Sequence, residues 1–364
     1  MSSALEGQIT IRLCRGAEGR LGARIESTRP QLAQRLMAGR PPAEAVRLAG
    51  SIFALCGRAQ RLAAELATRA ARGPAPLAAT DAPQFRKALS ELALEHAWQL
   101  LASLPTQQGA TPDLATLLEL RQAAAAPEEL SERLEAVLAR QVLGIAPATW
   151  LGGGAADFTA WCRARPTPTA ERLAALAQES DEGVSNAPLL PALTALGADE
   201  AGTLARCALD EPLWCARPLW RGRAAETGAI ARLAAHPWVA HWLAERGRGV
   251  GARQLARLVE LAQLPARLRR EGLDGALARA WNLEPGLGIA AVETARGLLL
   301  HVVRLASDRV ADYRIVAPTE WNFHPAGPIV DALASLTGDG NRLQAARRVA
   351  HSLDACVAIE VQIA

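Results

Sequence analysis

Two segments decide how this chain is read: Ser51-Ile52-Phe53-Ala54-Leu55-Cys56-Gly57-Arg58-Ala59-Gln60 and Leu353-Asp354-Ala355-Cys356-Val357-Ala358-Ile359-Glu360-Val361-Gln362. Each looks like a two-cysteine metal-ligand motif in which one cysteine has been replaced, by Phe53 in the first and Ile359 in the second. The histidine that would trail each motif has become Gln60 and Gln362. A lone cysteine inside a protein is usually a small hydrophobe. Two of them at corresponding motif positions, 56 and 356, instead make Cys56 and Cys356 candidate ligands of one metal site.

Outward from these segments, 364 residues suffice for one large or two moderate domains with a substantial core. Half the residues are apolar, yet only 4% are aromatic, and Trp accounts for 9 of them. The abundance of Ala, Leu and Arg favours helix. A net charge of +3, with Arg interleaved with acidic residues and no long basic run, gives no footprint for nucleic acid. Met1 to Gly7 is polar and unlike a secretion signal, and no run reaches the ~18 apolar residues of a membrane span. The expected compartment is the cytoplasm, where thiols stay reduced. Cys14, Cys162, Cys207 and Cys215 then read as packing residues. A zinc site from Cys207, Cys215, His236 and His241 can be drawn, but its spacing lacks the compact C-x-x-C form.

Gln8 to Leu13 alternates polar and apolar residues as a half-exposed strand does, and Arg15 to Gly19 follows as a turn. One long helical pattern runs from Pro42 to about Ala71, with Cys56 inside it or at a kink near Gly57. Amphipathic helices are expected at about Ala82–Leu104, Asp113–Ala124, Glu128–Leu143, Thr169–Gln178 and Gly251–Glu271. Leu298 to Leu305 and Val310 to Ala317 read as a β-hairpin, followed by an ordered loop over 318–325 and two more helices. There is no internal repeat. The chain is taken as a single domain over 1–364, with site-bearing segments at 9–75 and 285–364 and a helical middle at 80–284. The class is mainly α with small antiparallel β elements.

Five segments in order resemble the large subunit of [NiFe] hydrogenases. Arg15-Gly16-Ala17-Glu18 is similar to that family's R-G-x-E element, and Ser51 to Gln60 to its R-x-C-G-x-C-x-x-x-H element. Thr294-Ala295-Arg296-Gly297, running on to His301, resembles A-P-R-G and the glycine-histidine region after it. Tyr313 to Asn322 resembles Y-x-V-V-x-P-[ST]-T-W-N, and Asp354 to Gln362 resembles the closing D-P-C-x-x-C-x-x-H. The resemblance implies a degenerate, shortened large-subunit-like fold. In the catalytic family four thiolates hold nickel and two of them bridge to an iron bearing cyanide and carbon monoxide. Here only Cys56, at a bridging position, and Cys356, at a terminal one, could ligate, so the resemblance implies neither nickel nor hydrogen turnover. The sequence runs two residues past Gln362, and the expectation is that there is no extension for the maturation protease of that family to remove.

This profile is similar to the HupK/HoxV-type hydrogenase assembly proteins. That likeness implies a non-catalytic scaffold that transiently binds or transfers the Fe(CN)2CO fragment. Its partners would be other maturation factors, including small assembly chaperones, with the hydrogenase large subunit a further partner. Cys56 and Cys356 would hold the iron, while Arg296 and Thr319 match residues that donate to its cyanides, a task for which an arginine fork is suited. Asp354 matches a residue that orients the tail, and Glu18 a proton-transfer carboxylate that, without turnover, would serve only as a structural partner, for instance of Arg15. Read without iron, Arg296 would cap a helix or pair with Glu293, His324 and His351 would be surface or capping residues, and Trp321 and Asn322 would fix their loop. The alternative function is a metal-free structural or protein-binding pseudo-hydrogenase subunit, as in relatives from quinone-reducing complexes that have lost all four cysteines.

Overall fold

The computed structural model describes residues 7–15, 21–53, 55–74, 77–178, 182–270, 273–336 and 341–363. Glu18 and the turn expected after Arg15 lie outside them. Two small sheets are set among helices. In the first, β1 (Gln8–Arg15) pairs antiparallel with β2 (Leu21–Ser27) and parallel with the C-terminal strand over Ala358–Ile363, with Ile9 opposite Ile359. The parallel pairing corrects the expectation of antiparallel elements alone. It also explains how the two ends of the chain meet, because a strand from the far terminus can join this edge only after a long crossover.

The second sheet is a meander of β3 (Ala278–Glu284), β4 (Leu287–Thr294), β5 (Gly297–Ala306) and β6 (Arg309–Val316). The C-terminal strand of the first sheet is β7. The β5–β6 hairpin is the expected one, closed by Ser307 and Asp308 with φ of 49° and 55°, as a two-residue primed turn requires. β3 falls in the stretch expected to be helical, and β4 was not foreseen. Every residue of β4 is buried, so it shows no alternation, and Pro285-Gly286 between the two strands was the remaining signal.

The long helix expected from Pro42 is two helices, α1 (Pro42–Ile52) and α2 (Gly57–Arg72), with a break at Phe53 to Cys56. They pack so closely that a Cβ on Gly57 would stand 2.7 Å from the Gly50 carbonyl oxygen. A side chain there would force the helices apart. α2 crosses β4 with equal closeness at Gly288, where a Cβ would lie 2.3 Å from the Ala67 carbonyl oxygen. Small residues thus let α2 sit directly on the meander with Ala63, Ala64 and Ala67 fully buried. α3 (Ala82–Trp98) continues through a π-helical turn at Gln99–Ser103 ahead of Pro105, which has no amide hydrogen to donate. The 20-residue α4 (Val250–Arg269) runs through the core and is buried over most of its length. The loop expected at 318–325 starts as a short helix, α5 (Pro318–Asn322), because Pro318 is well suited to a first helical position. α6 (Arg342–Leu353) then leads to the tail.

Candidate metal-binding site

Cys56 occupies the N-cap position of α2 but offers no side-chain cap. A carboxylate from α3 does that work instead: Glu91 accepts from the backbone N–H groups of Arg58 at 2.9 Å and Ala59 at 3.1 Å. These are amides that a helix start leaves without partners. At the other end of the chain, α6 stops on Asp354, whose left-handed φ of 55° suits aspartate and turns the backbone toward Cys356. Thr319, at the start of α5, fixes that cysteine twice: its hydroxyl donates to Cys356 Sγ at 3.2 Å and accepts from the Cys356 amide at 3.2 Å. Cys56 and Cys356 then line one cleft of about 70 Å³, together with Arg29, Phe53, Glu320 and Val357. Arg29 and Glu320 form an ion pair at 2.7 Å, each side chain only 9% exposed.

Arg296 sits in the two-residue turn between β4 and β5, where its backbone N–H donates to Thr294 Oγ1. Its guanidinium donates to Glu95 at 2.7 Å and lies 3.4 Å from Asp354. Glu293, the partner the sequence suggested, is instead bound by Arg232 at 2.6 Å. Gln99 completes the set by donating to Asp354 Oδ1 at 2.8 Å. Glu91, Glu95 and Gln99 are spaced by four and form one polar stripe of α3 and its π turn, directed at the site. Sequence reading missed all three, although polar residues at that spacing in an apolar helix were the available signal.

Burial sets the electrostatics. It pushes the Cys56 thiol up to about 12, the neighbouring Cys356 and Glu91 add to this, and Arg296 and Gln60 oppose it. Burial also raises Glu91 to about 7 against its two backbone hydrogen bonds. For Arg296, burial works against the charge, but Asp354, Glu95 and the sulfurs of Cys356 and Cys56 outweigh it and hold the guanidinium charged. One buried cation therefore serves both cysteines.

Of the residues singled out in the sequence, Cys56 and Cys356 line the cleft; Thr319 is tied to it through Cys356, while Arg296, paired with Asp354, lines a separate small cavity with Asn322 and Leu353. The replaced positions behave differently: Phe53 lines the cleft, whereas Ile359 packs against a separate core between the N-terminal sheet and α6. Gln362 accepts from Arg12 on the sheet. Trp321 is fully buried, and Asn322 bonds to backbone groups at Thr227, Arg296 and Leu353. His324 is buried and accepts from the Ala326 amide, His236 caps its helix toward Trp238, and His351 is exposed. Cys215 is buried in the core behind the meander, with Cys207 packed against the same core. Among the described residues no group of three His, Cys, Asp or Glu is placed to hold a metal ion, so Cys207, Cys215, His236 and His241 do not make the zinc site drawn from the sequence.

Residues 254–362 match the family model described as nickel-dependent hydrogenase. Over its length the chain is 35% identical to the hydrogenase expression/formation protein HoxV of Cupriavidus necator, covering 92% of this chain and 88% of that one. It is 37% identical to the hydrogenase expression/formation protein HupK of Rhizobium leguminosarum, covering 93% and 92%. The chain belongs to the HupK/HoxV family of hydrogenase expression/formation proteins. Its fold is that of a hydrogenase large subunit: the Ni-Fe-Se hydrogenase of D. vulgaris Hildenborough superposes with a TM-score of 0.59 at 15% identity over 94% of both chains. An NAD+-reducing [NiFe]-hydrogenase does so with a TM-score of 0.56 at 15% identity, also over 94% of both. No helix among the described residues is long and apolar enough to cross a membrane.

Proposed function

We propose that this chain serves hydrogenase maturation as a non-catalytic scaffold that takes up the Fe(CN)2CO fragment between Cys56 and Cys356 and passes it on. The observation that carries this reading is the meeting of those two cysteines, from opposite ends of the sequence, at one cleft beside a buried arginine. Iron carrying cyanide and carbon monoxide is a soft centre suited to thiolate donors. With two thiolates that cargo is anionic, and Arg296 supplies the opposing charge. Glu95 and Asp354 hold Arg296 in place, while Thr319 keeps Cys356 turned to the cleft. Loading must displace the thiol protons, and Glu91 lies close enough to Cys56 to make its ionisation harder. Partners in this reading are other maturation factors, small assembly chaperones and the hydrogenase large subunit; no nucleic acid is involved.

Protein isolated anaerobically from cells making hydrogenase should show infrared bands of iron-bound cyanide and carbon monoxide. Cys56→Ala should abolish them and Cys162→Ala should leave them unchanged. Bands absent from wild type, or persisting without both Cys56 and Cys356, would replace this reading with that of a metal-free, protein-binding pseudo-subunit.

A further inference from the structure

Behind Cys56 runs a chain of buried polar groups with a single direction. Gln60, one turn along α2 and 1% exposed, donates its Nε2–H to Cys56 Sγ at 3.6 Å. Its Oε1 then faces His301 Nε2 at 2.7 Å. An amide oxygen can only accept, so His301 carries its proton on Nε2 and leaves Nδ1 bare. Nδ1 lies 2.8 Å from the hydroxyl of Tyr313, which must donate to it. His301 and Tyr313 come from β5 and β6, are fully buried, and stand edge to face at 5.6 Å on the side of the meander against α2. Each donor in this series has an acceptor, and each member fixes the orientation of the next.

We propose that Gln60 is a positioning residue for the iron cargo, with His301 and Tyr313 locking its amide so that an N–H always meets the Cys56 sulfur. This rests on the reading of Cys56 as an iron ligand. An N–H directed at a ligating sulfur orients it and withdraws electron density from the metal, as partners beyond the ligands do in other metal sites. The lock matters because a free amide could equally turn its oxygen to the sulfur and repel a thiolate. Burial pushes His301 down to about 3 and so holds it neutral, and the relay keeps its direction at physiological pH.

The test has two arms. In metal-free protein with 15N-labelled histidine, the His301 resonances should report a protonated Nε2 and a bare Nδ1. Tyr313→Phe, which removes the donor to Nδ1, should mix the two tautomers. A wild-type Nδ1–H tautomer would mean the amide is reversed and would overturn the proposal, whatever the cargo. In protein carrying the iron fragment, Gln60→Leu should move the carbonyl stretch to lower wavenumber and weaken retention of iron about 10–100-fold. Gln60→His, which can still offer an N–H, should restore both. Should Gln60→Leu not fold, the comparison of Gln60→His and Tyr313→Phe with wild type decides: unchanged bands in Tyr313→Phe would overturn the lock. If wild type holds no iron, the scaffold reading fails alone, and the tautomer arm still decides the relay.

Discussion

Replacing Asn322 with Ala should loosen the site and the fold together, by an amount that can be worked from its contacts. The side chain is 1% exposed and ties three distant segments. Its Oδ1 accepts from the Thr227 amide at 2.9 Å, and its Nδ2 donates to the carbonyls of Arg296 at 3.3 Å and Leu353 at 3.2 Å. One residue therefore fixes the turn bearing Arg296 relative to the last turn of α6, just before Asp354 and Cys356. Each hydrogen bond contributes about 1 kcal/mol net, and the buried Thr227 N–H left without an acceptor adds about 1–3 kcal/mol. The expected loss is about 4–6 kcal/mol, a large part of the ~5–15 kcal/mol that keeps a domain folded. Urea unfolding read by tryptophan fluorescence should show a lower midpoint with an unchanged slope. Asn322→Asp should recover part of the loss through the Thr227 bond alone. A shift under about 1 kcal/mol for Asn322→Ala would refute the claim that this amide binds the segments together.

Glu91 is pushed up to about 7 in the folded chain against an ordinary 4.5, so its ionisation opposes folding. Its contribution should be fully present below pH 4.5 and lost as pH rises through 7, by about 3 kcal/mol; Glu91→Gln should flatten the pH dependence of the urea midpoint over that window, and parallel curves would refute the assignment. With the Cys56 thiol pushed up to about 12, its proton competes with iron throughout the physiological range, and this proton alone should lower apparent affinity about tenfold per pH unit on acidification, read as iron retained after dialysis at successive pH values. The protein should neither turn over hydrogen nor keep an equivalent of nickel after chelation, and Ile359→Cys should not change this. Stoichiometric nickel in that variant would show that position 359 does face the cleft.

The parts of this site legible in the sequence were those that motif positions mark: Cys56, Cys356, Arg296, Thr319 and Asp354. Their partners were not marked, because partnership arises from packing between elements far apart in sequence. Glu95 finds Arg296 across 201 residues and Gln99 finds Asp354 across 255, while Glu293, close to Arg296 in sequence, is engaged elsewhere. The same limit governed the fold. Asp113 was read at the start of a helix and does cap one through the Thr116 amide, a signal local to three residues. β4 escaped notice because α2 and the core behind the meander cover both its faces and erase the alternation that betrays a strand. The break between α1 and α2 falls at the kink that Gly57 suggested, whereas the close approach of the two helices at Gly50 and Gly57 is a distance that helical periodicity cannot report.

The two positions where the resembled motif carries a cysteine and this chain does not, Phe53 and Ile359, lie in different surroundings. Phe53 lines the cleft and adds an apolar wall to the one that holds Cys56 and Cys356. Ile359 instead lies in β7 opposite Ile9 and packs against the core that includes Ile11, Leu353 and Val361. Burying an aliphatic side chain of that size contributes about 1.5–3 kcal/mol when complete. A cysteine at 359 would give up part of that contribution and, because side chains alternate along a strand, would keep facing the core unless β7 slipped by one residue. Such a slip would break the register between β7 and β1, from Gln8 opposite Ala358 through Leu13 opposite Ile363. Restoring four sulfurs therefore requires remaking a strand pairing as well as changing two side chains. In the scaffold reading, the two-cysteine site is held in that form by the packing of β7, independently of any cargo.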